Sequence, residues 1–137
     1  MAGYSGTPLP KKLGIKDGHR LAIVDAPEGF DATLGPLPAA VEVRRTARGS
    51  ADVLVYFTKR RADLARRIEA LGRLIYPDGA IWVAWPKRAS GVPTDITEDT
   101  VREVALPLGL VDNKVCAIDD TWSGLRIVWR KENRGRR

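Results

Sequence analysis

The sequence predicts a three-layer α/β fold, with a mostly parallel sheet of about six strands and a C-terminal antiparallel hairpin. Three features predict it. Short, nearly unbroken apolar runs recur along the chain, as strands covered on both faces require. A stretch of helical period separates two of these runs, so the strands it joins are expected to be parallel. Only a few residues separate the last two runs, too few for a crossover, and the final strand must therefore turn back on its predecessor.

The first strand is expected over Arg20 to Asp25, where Leu21, Ala22, Ile23 and Val24 follow one another. Val41 to Arg45 is a weaker second strand, Asp52 to Phe57 the third and Ala80 to Trp85 the fourth. Lys114 to Asp119 makes the fifth. In the sixth, Leu125 to Arg130, alternation places Leu125, Ile127 and Trp129 on one face and Arg126, Val128 and Arg130 on the other. The link from Thr46 to Ala51 either makes the second strand antiparallel or crosses tightly at a sheet edge.

The clearest helix runs from Arg61 to Ile75, where Leu64, Ile68, Leu71 and Ile75 build one apolar stripe. On its outer face Asp63 with Arg67, and Glu69 with Arg73, are acid-before-base pairs one turn apart. Tyr76, Pro77, Asp78 and Gly79 stop it. A second helix is expected to begin near Asp95 or Thr97, with Asp95 and Glu98 as a capping box, and to end at Pro107 and Gly109. A short helical turn around Pro8 to Leu13 and a turn at Lys16, Asp17 and Gly18 precede the first strand. No repeat or long linker divides the chain, so residues 1–132 are expected to form one domain and 133–137 a disordered basic tail.

With 137 residues, 44% hydrophobic and 29% charged, the chain can stand on an apolar core. No apolar run approaches the roughly 18 residues of a membrane span. Met1 to Lys12 carries no apolar signal-peptide core, so a cytoplasmic location is expected. Cys116 is the only cysteine, which excludes an intrachain disulfide and a cysteine-built zinc site; it sits in a strand-like run as a small hydrophobe. His19, also alone, is read as a loop residue. The net charge of +6 is concentrated in three groups. These are Arg44, Arg45 and Arg48; Lys59, Arg60, Arg61, Arg66 and Arg67; and Arg130, Lys131, Arg134, Arg136 and Arg137. Such groups can neutralise phosphates without reading sequence, but few aromatic residues remain for stacking once Trp82 and Trp129 are assigned to the core.

From Asp52 to Arg130 the plan resembles the C-terminal half of Rossmann-like methyltransferases that use S-adenosylmethionine. The shared features are the helix ending in Leu74-Ile75-Tyr76-Pro77-Asp78-Gly79, the apolar strand after it, the helix ending in Leu108-Gly109-Leu110, and the terminal hairpin. The resemblance implies a glycine-rich turn after the first strand and an acid at the end of the second that holds the ribose. This chain departs from both. Its first strand runs into Asp25-Ala26-Pro27-Glu28-Gly29-Phe30, where Pro27 lacks an N–H, and its second ends in Val43-Arg44-Arg45. The whole chain also resembles a family of small bacterial proteins defined only as a domain of unknown function. That likeness rests on Gly3-Tyr4-Ser5-Gly6-Thr7-Pro8 with Lys12-Leu13-Gly14-Ile15, Trp82-Val83-Ala84-Trp85-Pro86-Lys87 with Ser90-Gly91, Thr94-Asp95-Ile96-Thr97-Glu98, and the run from Gly109 to Asp119 with Trp122-Ser123-Gly124-Leu125, and it implies no activity.

In open α/β sheets ligands bind beyond the carboxyl ends of the strands. The binding candidates by that rule are Asp25 and Glu28 after the first strand, Lys59 after the third, Trp85, Lys87 and Ser90 after the fourth, and Asp119 and Trp122 at the final turn, all on one rim. Pro86 is expected to end pairing and aim Lys87 outward. Asp119 and Asp120 lack the further oxygen ligands that a hard cation needs, and no nucleophile elbow, phosphate loop or Ser/His/Asp arrangement is visible. The expected function is a non-catalytic Rossmann-like module that binds a small molecule or a protein, with no cofactor, metal or catalytic residue. A divergent methyltransferase-like transferase that binds a small molecule, and a basic nucleic-acid accessory, are the alternatives.

Overall fold

A computed structural model describes residues 6–135 of the chain. Arg136 and Arg137 of the basic tail, and the Gly3-Tyr4-Ser5 motif, lie outside the described residues. The elements run α1 (Leu9–Lys12), β1 (Arg20–Val24), α2 (Phe30–Leu34), β2 (Glu42–Arg44), β3 (Val53–Phe57), α3 (Arg61–Ile75), β4 (Ala80–Pro86), α4 (Glu98–Ala105), β5 (Leu110–Ala117) and β6 (Trp122–Trp129). They build a six-stranded sheet in the order β2-β1-β3-β4-β6-β5. The first four strands are parallel, and β6 is antiparallel to both of its neighbours.

The apolar runs explain the central strands, since every residue of β3 and β4 is buried. On one face α3 and α4 cover Leu54, Tyr56, Ile81, Val83, Leu125 and Ile127, with Leu64, Ile68 and Leu71 of α3 meeting them. On the other face the short α1 and α2 lie over Leu21, Ile23, Val55, Trp82 and Ala84, bringing Leu13, Ile15, Phe30 and Leu34. Trp82 ties this second layer down: its indole N–H donates to the carbonyl of Leu13 at 2.9 Å.

Of the two arrangements the sequence left open for the second strand, the structure has the parallel one, at the sheet edge beside β1. The link to β3 makes its tight crossing on the α3 side, where Ala51 donates to Leu74 and the guanidinium of Arg44 reaches the carbonyl of Ser50. The helix α2 had no periodic signal, being only five residues long and starting after Gly29 in the left-handed region. The fifth strand begins at Leu110, not Lys114, because a register shift between Asp112 and Lys114 lets this polar stretch pair at the edge. The sixth begins at Trp122, since Asp119 accepts from the N–H groups of Thr121 and Trp122 and tightens the turn. The α4 capping box is Thr97 with Thr100. Asp95 instead caps the other helix, accepting from the N–H of Arg61 at 2.7 Å. The tail is anchored at its start, with Asn133 donating to Gly109 and Arg134 to Trp129.

At the lower end of the sheet, the Asp52 carboxylate accepts from the Arg20 backbone N–H at 2.7 Å and from its guanidinium at 3.1 Å. The Arg20 side-chain hydrogen bond holds the Asp52 carboxyl below its ordinary range, against the effect of burial. A carboxylate held low adds stability that is complete above the ordinary Asp range, near pH ~3.9, and is lost as pH falls through the lowered value. Asp52→Asn should therefore reduce the melting temperature at pH 7, by about 1 kcal/mol or less in stability, and the deficit should be smaller at pH ~3, below the ordinary Asp value. Thermal melts at both pH values check this, and a deficit independent of pH would refute it.

Candidate functional site

From β1 the chain steps outward to β2, then crosses back to β3 on the other side of β1. The carboxyl ends of β1 and β3 therefore part where the connections leave in opposite directions, which is where such sheets open a crevice. A cleft of about 500 Å³ lies there. Its floor is Tyr56, Phe57 and Thr58, its walls Asp25 and Pro27 on one side and Trp122 on another, and its rim is lined by Lys59, Arg60, Asp63, Arg66 and Arg67.

Each group is placed by local structure. Asp25 leaves β1 with φ of 59°, a left-handed turn that redirects the chain at the cleft. Its carboxylate pairs with Arg67 at 2.8 Å, and the Arg67 guanidinium lies 5.3 Å from the centre of the Tyr56 ring. Arg67 thus serves the cleft, and Asp63 pairs with Arg66 at 2.8 Å instead of with Arg67. The pairing of Glu69 with Arg73 is present, at 3.8 Å. Trp122 packs edge-to-face on Phe57 with ring centres 5.0 Å apart, and Phe57 meets Phe30 at 4.8 Å. This aromatic chain fixes the apolar wall.

Charge in the cleft is unbalanced. The cations Lys59, Arg60, Arg66 and Arg67 face only Asp25 and Asp63, four against two. Both acids are taken by arginines of α3, and neither Lys59 nor Arg60, both exposed, has a carboxylate partner among the described residues.

Of the residues expected on one rim, Asp25, Lys59 and Trp122 share this cleft. Trp85 and Lys87 line a separate depression of about 450 Å³ under the loop from Gly91 to Thr97. The two are divided because that loop is clipped to β3's exit: the Lys59 carbonyl accepts from the Thr94 hydroxyl at 2.7 Å and from the Asp95 N–H at 3.3 Å. Pro86 does not end pairing, since it stands opposite Trp122 and the Lys87 N–H donates to Thr121. Ser90 is occupied in its own turn, donating to Lys87 and accepting from Val92. Asp119 holds the hairpin turn, and Glu28 is exposed on the loop before α2. Tyr56, Arg60, Asp63, Arg66 and Arg67 were missed as site residues. The signal was present in the second basic group, because positions 63, 66 and 67 lie one turn apart on a helix starting at Arg61.

No protein-family model matches the chain, and no curated protein matches it in sequence. Solved structures do share its fold. A SAM-dependent methyltransferase from Aquifex aeolicus superposes with a TM-score of 0.60 at 16% identity, covering 85% of each chain. The ribosomal protein L11 methylase of Lactobacillus delbrueckii subsp. bulgaricus gives 0.61 at 14% identity, over 89% of this chain and 75% of that one. Aeropyrum pernix fibrillarin, solved with natively bound S-adenosyl-L-methionine, gives 0.54 at 16% identity, over 92% of this chain and 70% of that one. The fold is that of the Rossmann-like methyltransferases.

Proposed function

We propose that this chain is a small-molecule-binding domain on a methyltransferase-like fold, and that the cleft between Asp25 and Trp122 takes a ligand bearing phosphate or carboxylate. The observation that carries this reading is the pair Lys59 and Arg60, cationic and without carboxylate partners at the switch point of the sheet. A cleft with an excess of two positive charges attracts anions and opposes the sulfonium of adenosylmethionine. The loop after β1 does not fit that cofactor in the manner of the family. Pro27 has no N–H to give, the N–H of Phe30 is turned inward to the Pro27 carbonyl, and Arg45 at the exit of β2 is drawn to Asp31 at 2.7 Å. Arginines therefore stand where an acid for the ribose would be.

Calorimetric titration with AMP, ATP and pyrophosphate tests the reading. Binding of at least one is expected, weakened tenfold or more, about 1.4 kcal/mol, by Lys59→Ala with Arg60→Ala. Absence of binding at millimolar ligand would remove the proposal.

A second reading, a divergent methyltransferase-like transferase, is supported by the fold of the neighbours, several of which are described with bound adenosylmethionine or its demethylated product. That likeness favours a ligand-binding protein over an inert scaffold. Adenosylmethionine in the same titration separates the two, since its binding with no response to the anions would select the second.

A further inference from the structure

At the opposite end of the sheet, beneath the strand amino ends, lies a cavity of about 590 Å³ that the site above does not use. The end of α1 and the segment after it, the start of β3, the turn before β4, and the strands β5 and β6 all reach it. Its lining is strongly cationic: Lys11, Lys12, Lys16, Lys114 and Arg126 against Asp52 and Asp78. Asp52 adds little negative field there, because Arg20 takes its carboxylate. Lys12 is engaged, donating to the carbonyl of Ala117 at 3.2 Å.

Arg126 is the informative residue. It stands on β6 opposite Trp82, on the face away from α3. It is half-buried, and among the described residues its one side-chain hydrogen bond goes to the amide oxygen of Asn113 at 3.2 Å, not to a carboxylate. Burial and the nearby charge of Arg134 push its guanidinium below the usual range, and no carboxylate among the described residues pairs with it. Guanidinium groups in this state are completed by planar or tetrahedral oxyanions, which take two parallel N–H bonds. The lysines come from two separate parts of the chain, α1 with the link after it and β5, and so would surround such an anion on more than one side.

We infer that this lower cavity is a second binding site, independent of the switch-point cleft, for a small anion bearing one or two phosphate groups, held by Arg126 with Lys11, Lys16 and Lys114. Its concavity and volume suit a small molecule better than a nucleic-acid backbone, which follows an open stripe of charge.

The test is a titration of the full chain with pyrophosphate at low ionic strength, followed by amide chemical shifts. Saturable shifts are expected at Lys16, Lys114 and Arg126, in addition to any at Lys59. Arg126→Gln should weaken the lower-site response at least tenfold, while Lys59→Ala with Arg60→Ala leaves it unchanged. Should Arg126→Gln fail to fold, Lys16→Ala with Lys114→Ala, both at exposed positions, provides the same readout. No saturable shift at the lower residues would overturn the inference, whatever happens in the upper cleft. A response that strengthens with the length of a 5′-phosphorylated oligonucleotide and is absent with pyrophosphate would also overturn it, by assigning the surface to nucleic acid.

Discussion

Trp82→Ala should cost about 3–5 kcal/mol, the range for removing a fully buried tryptophan, and lower the melting temperature by roughly 10 °C or more. Trp82 is wholly buried on the face under α1 and α2, and its ring lies 3.2 Å from where a Cβ at Gly124 would be. Its removal opens a cavity between β4, β6 and the N-terminal segment, and strands the carbonyl of Leu13 without its donor. Since domains of this kind are stable by only about 5–15 kcal/mol, the loss is a large fraction of the whole. Trp82→Phe separates the parts. It keeps most of the volume but leaves the buried carbonyl unpaired, so about 1–3 kcal/mol should be lost. A midpoint for the alanine variant within about 2 °C of the parent in thermal melts would show that the second layer contributes little.

Gly79→Ala should destabilise by about 2–3 kcal/mol, although glycine replaced by alanine in a compatible backbone normally gains several tenths through the unfolded state. A Cβ at this position would come within 2.6 Å of the Ala51 carbonyl oxygen, 2.9 Å of that of Ile75 and 3.0 Å of that of Asp52. All three are main-chain atoms at the junction of α3, β3 and β4, so none can swing aside as a side-chain end would. The N–H of Gly79 also closes α3 by donating to Ile75 at 2.8 Å. The turn must therefore open, or the strand pairing at Ala80 must shift. A urea midpoint lowered with an unchanged slope is the expected result. An unchanged midpoint would mean that the junction yields freely.

The elements most legible in the sequence were those whose burial is dictated by period. The helix α3 has the limits its apolar stripe predicts, Arg61 to Ile75, because one face must meet the sheet. The sides of β6 also follow its alternation, with Leu125, Ile127 and Trp129 in the core beneath α3 and α4. Elements held by neighbours rather than by their own pattern were illegible. The edge strand β5 is polar from Asp112 to Lys114 because one side of it faces solvent, so its first half reads as loop. Asp95 looks like a cap for the helix that follows it, and only the approach of the Gly91 to Thr97 loop to α3 assigns it to Arg61.

The same division runs through the sites. Lys59 could be placed at a strand end from its position after an apolar run, and so could Asp25 and Trp122. Arg67 could not be assigned to Asp25 from sequence, because an equally spaced partner, Asp63, lies one turn away on its own helix. Arg126 reads only as the polar side of an alternating strand.

The sequence by itself determined the mostly parallel sheet, the returning hairpin and the absence of a glycine-rich turn after the first strand, since hydrophobic period, loop length and the missing N–H of Pro27 act locally along the chain. Only the tertiary structure decided which charges share a space. Strand order brings Asp25 to Arg67, parts Trp85 from Trp122's cleft and leaves Arg126 without a carboxylate, and none of those distances is written in residue spacing. Electrostatic balance depends on through-space separation, whereas the sequence records only separation along the backbone.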